Sequence, residues 1–108
     1  MQDPMAVLEQ NYITIQDQVN MRSFNCNQAE RDTLNAQLVA ARSAYWSCVN
    51  KAFHDDDPQV VALTVQLKQQ TQAIKDAVQN MGDIAKVLDQ ITTAVGTAAK
   101  LAALVISA

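Results

Sequence analysis

PQVVALTVQLKQQTQAIKDAVQNMGDIAKVLDQITTAVGTAAKLAALVIS, residues 58–107, is the stretch on which the fold turns. Placing a at Val60, Leu67, Ile74, Met81, Leu88, Val95 and Ala102, and d at Leu63, Gln70, Ala77, Ile84, Ile91, Ala98 and Val105, gives an apolar stripe interrupted only by Gln70. Apolar residues recurring at 3.5-residue spacing mark a helix laid against partner helices. At 1.5 Å per residue, one helix over this run is roughly 75 Å long, and the expected partner is an equally long helix or another chain.

Composition supports an all-α reading. The 108 residues are 49% hydrophobic but only 5% aromatic, with two Gly and two Pro. A β fold of this length needs a turn signal about every ten residues, and these are missing. The net charge of -3 with eight scattered Lys and Arg builds no positive surface, so nucleic acid is not an expected partner. The polar residues run to amides, 13 Gln and 7 Asn, which suit a solvated face or helix-to-helix hydrogen bonds.

Outward from the stripe, His54-Asp55-Asp56-Asp57-Pro58 marks the firmest boundary. Pro58 suits a first helical position, Asp57 suits a cap, and the carboxylates favour the positive end of the following helix. A tight connection there predicts that the preceding helix, 28–53, lies antiparallel along the first half of the long one. Asn27, with Glu30 three residues on, is a capping-box start for that preceding helix. Met5, Leu8, Tyr12, Ile15 and Val19 predict an earlier amphipathic helix over about 5–24. Met1-Gln2-Asp3-Pro4 reads as an expression remnant ahead of a natural start at Met5. Gly82-Asp83 offers a stop and a new cap, but the heptad phase runs from Met81 through Ile84 to Leu88 without a slip, which favours one continuous helix. A four-helix single-chain bundle is the rival arrangement.

Beyond Gln90 the stripe widens: Ala85, Val87, Ala94, Leu101 and Ile106 join it, and Lys100 is the only charge from Gln90 to Ala108. So wide an apolar surface predicts cover from a second chain. The expected architecture is therefore a single all-α domain, a long antiparallel coiled-coil-like hairpin with a short N-terminal helix, bundled with another copy.

Residues with chemical potential form no constellation. His54 beside three Asp lacks the spaced loop and central Gly of a calcium site, and turn chemistry explains it. A cysteine nucleophile needs a histidine close by, and His54 is six residues from Cys48 at the end of a helix. Cys26 and Cys48 read as reduced thiols, since one unbroken helix would hold them roughly 33 Å apart. No catalytic, cofactor or metal site is expected. Residues 1–19 lack the basic start and apolar run of a signal peptide, which points to a cytoplasmic protein or to export without a cleaved signal.

Two likenesses can be set beside these residues. A helical hairpin with Trp46 mid-chain and Phe53 seven residues later resembles the WXG100 family of secreted hairpin dimers, although Trp46-Ser47-Cys48 replaces their Trp-x-Gly turn. Asp56-Asp57-Pro58 followed by an amphipathic helix is similar to type III secretion needle subunits. Neither likeness extends to a shared motif, and no family is assigned.

The functional expectation is a non-catalytic helical protein acting by protein-protein interaction. It self-associates as a homo-oligomer through Leu67, Ile74, Met81, Ile84, Leu88, Ile91, Val95, Leu101 and Val105, with Tyr45, Trp46 and Phe53 as an aromatic anchor for a protein partner. The alternative is an exported or membrane-active hairpin, akin to a secretion-system substrate or pore-forming toxin, whose C-terminal segment meets lipid. That segment is too diluted by Thr92, Thr93, Gly96, Thr97 and Lys100 for a span, so an interfacial helix is the form expected.

Overall fold

Helix starts are set by residues that satisfy otherwise orphaned amides, and the computed structural model, which describes residues 3–22, 27–53, 56–79 and 84–105, shows three of them. At α1 (Pro4–Arg22), Asp3 Oδ1 accepts from the Met5 amide at 3.0 Å and the Asp3 carbonyl accepts from Val7 at 3.1 Å. At α2 (Gln28–Cys48), Asn27 Oδ1 accepts from the Glu30 amide at 2.8 Å while Glu30 Oε1 accepts from the Asn27 amide at 2.9 Å, completing the expected capping box. At α3 (Pro58–Gln79), Asp57 Oδ1 accepts from the Gln59 amide at 2.9 Å. Asp3-Pro4, set aside by the sequence reading, thus starts α1 by the device that Asp57-Pro58 uses for α3. The fourth helix, α4, spans Ile84–Ala102.

The described residues form an all-helical bundle in which α1 packs on α2 and α3 on α4, each pair antiparallel. Tyr45 near the end of α2 meets Glu9 and Tyr12 early in α1. Gln59, Ala62 and Leu63 at the start of α3 line one groove with Lys100 in the last turn of α4 and Ala103 and Leu104 just past it. The two pairs stack through α1 on α3 and α2 on α4, with a lesser contact of α1 with α4, while α2 and α3 do not touch. The principal extents are 42 × 23 × 15 Å.

This corrects the sequence reading in three places. The single helix over 58–107 is two helices, α3 ending at Gln79 and α4 beginning at Ile84, and α4 packs antiparallel along α3. A 75 Å rod does not fit a molecule 42 Å long. An unbroken heptad phase did not signal continuity, because two helices folded on each other need the same inward spacing as one helix lying on a partner. The Gly82-Asp83 pair, on which the choice rested, lies outside the described residues. Secondly, α2 does not run along α3; its neighbours are α1 and α4. Thirdly, α2 ends at Cys48 rather than Phe53, because Val49 is extended and Asn50 is left-handed at φ 64°. Asn tolerates that conformation better than other residues bearing a Cβ, and it ends the helix.

The apolar surplus of the C-terminal half is covered from within. Val87, Ile91, Ala94, Ala98 and Leu101 of α4 are fully buried against Leu8 and Ile15 of α1, Leu34 of α2, and Leu67 and Ile74 of α3 in one core. Each such Leu or Ile side chain contributes about 1.5–3 kcal/mol of transfer free energy. The total accessible surface is 6140 Å², close to the roughly 5,900 Å² expected for a compact monomer of this mass. A second chain is not needed to hide the stripe.

Candidate interaction surface

The nine residues assigned to self-association split by position. Leu67, Ile74, Ile91 and Leu101 are fully enclosed and Val95 nearly so, while Leu88 and Val105 are half-buried against the same core. Ile84 is the first residue of α4, and Met81 lies outside the described residues. The stripe is therefore an internal seam between the chain's own helices. The same holds for the segment behind the membrane alternative, whose apolar face points into the bundle. Among the described residues no helix is long and apolar enough to cross a membrane.

The aromatic trio is only partly assembled. Phe53 lies five residues beyond the end of α2 and packs, half-buried, against the core. Tyr45 and Trp46 do meet, edge to face at a centroid separation of 5.6 Å. Tyr45 is held from its other side by stacking on Tyr12 at 6.0 Å, and its hydroxyl donates to Glu9 Oε2 at 3.0 Å. That bond favours the neutral phenol, and together with partial desolvation and the negative charge of Glu9 it raises the Tyr45 pKa above 10.0. Trp46 itself is 60% exposed, and its indole N–H has no hydrogen-bond partner among the described residues.

One turn pair before Trp46, Val39 is 51% exposed on the same side of α2. Ala36 and Ser43, also exposed, lie between and beside them. The sequence reading missed Val39 because its neighbour Leu38 carries the core phase; the seven-residue interval to Trp46 was the available signal.

Chemistry finds no comparable focus. Among the described residues no three His, Cys, Asp or Glu side chains come together. Cys48 is a free thiol enclosed in the core, and His54 and Cys26 lie outside the described residues. A groove of about 180 Å³ between α1 and α3 is lined by Ala6, Val7, Gln10, Thr71 and Gln72 with Lys68 and Lys75. Its Thr71 hydroxyl already donates to the Leu67 carbonyl and its Gln72 amide to Asp76, so only Gln10 and two exposed lysines on long flexible stems are left to meet a ligand. Compared with family models, curated proteins and solved structures, the chain finds no match in any of the three.

Proposed function

We propose that the protein is a non-catalytic helical module that acts by binding a protein chain through the outward face of α2. The observation that carries this is Trp46, 60% exposed on a helix although the chain has a core that accepts large side chains. Tryptophan on a fixed backbone buries a large area at small entropic cost, which is why it recurs among the residues that dominate protein interfaces. Tyr45, clamped between Tyr12 and Glu9, fixes the edge on which the indole rests. The stripe residues Leu67, Ile74, Ile91 and Leu101 take no part, since the chain's own helices already enclose them.

A photoreactive phenylalanine analogue placed at Ser43, beside Trp46, tests this in cells. A covalent adduct of defined mass to a protein is expected from position 43 and not from Gln69 on α3, which is also exposed. Absence of any adduct from position 43, or the same adducts from both positions, contradicts it.

A further inference from the structure

The outward face of α2 has an internal pattern that a general docking surface does not require. Ala29, Asp32, Ala36, Val39, Ser43 and Trp46 follow one another at alternating intervals of three and four, and all six are exposed. This is a second heptad seam, facing solvent on the side of α2 away from the core. Its members alternate in kind: one set, Ala29, Ala36 and Ser43, is small, and the other contains the two large apolar groups Val39 and Trp46.

When two copies of such a helix run antiparallel, each position of one set lies against a position of the other. In the register where Val39 meets Ala36 of a second copy, Trp46 falls on the second copy's Ala29 and Ser43 on its Asp32. Every large side chain then enters a gap left by a small one, twice over by symmetry. Arg42 flanks the seam on the side to which Asp32 belongs, so in this register its guanidinium stands level with the Asp32 carboxylate of the second copy. In the described residues Asp32 accepts only from the Gln28 amide through Oδ1, which leaves its other oxygen open, and Arg42 makes no ion pair. A parallel arrangement in register keeps Arg42 ten residues, about 15 Å, from Asp32 of the second copy and loses that complementarity.

We infer that the partner of the α2 face is a second copy of this chain, joined in an antiparallel α2–α2 pair about a two-fold axis between Val39 and Ala36. This rests on the interaction reading above and supplies its occupant. The pairing buries only two large side chains per copy and is therefore reversible, a monomer–dimer equilibrium set by concentration.

Sedimentation of the full chain across concentrations up to about 1 mM reads this directly. The wild type is expected to shift from 11.8 kDa toward twice that mass, and Trp46→Ala or Val39→Glu to raise the dissociation constant at least about tenfold. Arg42→Asp and Asp32→Arg each weaken the dimer, and combining them restores it, which a nonspecific apolar contact would not do. All four positions are exposed, and far-UV circular dichroism confirms that each variant remains folded. A monomer at every concentration overturns the inference, as does a dimer insensitive to Trp46→Ala or unrestored by the double reversal. In the cross-linking experiment, an adduct to a different protein from a chain that sediments as a monomer overturns this inference and leaves the interaction reading standing; no adduct at all from a chain that sediments as a monomer removes both.

Discussion

Asn11 is where the core departs furthest from what helix packing favours. Its side chain is fully buried on α1, and neither Nδ2 nor Oδ1 has a hydrogen-bond partner. An unpaired buried amide costs about 1–3 kcal/mol, and leucine keeps the same number and branching of side-chain heavy atoms. Asn11→Leu is therefore expected to stabilise the fold by about 1–3 kcal/mol in urea denaturation; unchanged or lowered stability would mean that the amide is satisfied in solution. Thr64 and Thr71, by contrast, are buried at no such cost, because their hydroxyls donate to the carbonyls of Val60 and Leu67 one turn back. Tyr45 makes a second residue-level prediction. Since the fold favours its neutral phenol, that contribution to stability is complete below pH 10.0 and is lost as pH rises through the raised folded value. NMR of ring-labelled tyrosine should find Tyr45 ionising above 10.0, and Glu9→Gln should bring it down toward that value. A Tyr45 titration indifferent to Glu9→Gln would show that the hydroxyl-to-carboxylate bond does not form.

Among the elements, those whose signals are local were legible in the sequence and those decided by tertiary contact were not. Asn27 with Glu30, and Asp57 with Pro58, could be read because a cap involves only the residues within one turn of it. The break between α3 and α4 could not, because Gly at an outward position is tolerated inside a helix or ends one with equal ease, and what decides is the cover available to both halves. The end of α2 escaped notice for a related reason: Asn50 is an ordinary polar residue until its backbone is seen to be left-handed. The surface face of α2 was half legible, with Trp46 singled out and Val39 hidden behind Leu38. Gly96 offers a test of how far α4 is stabilised by its own backbone. It sits mid-helix and exposed, and a Cβ built there meets nothing within 4 Å. Gly96→Ala is expected to stabilise the protein by about 0.5–1 kcal/mol, seen as a higher urea midpoint with unchanged slope. A loss of stability would show that the outer face of α4 is not open.

For the whole molecule, the fold-back of α4 onto α3 is what converts a surface that seemed to need a second chain into the core of one chain. It accounts for the burial of Leu67, Ile74, Ile91 and Leu101 and for an accessible surface of 6140 Å², and among the described residues it leaves Trp46 and Val39 of α2 more exposed than Val65 of α3 or Ile13 of α1. Self-association, on this account, runs through α2 and not through the long stripe. The direct test is the distance between spin labels at Gln59 and Ala103, both exposed, measured by pulsed electron resonance on labelled chain diluted with unlabelled, with Cys26 and Cys48 replaced. Those residues line the same groove, so a separation of about 20 Å or less is expected once the label arms are included; a continuous helix would place them about 66 Å apart, and a distance near that value would contradict the fold-back.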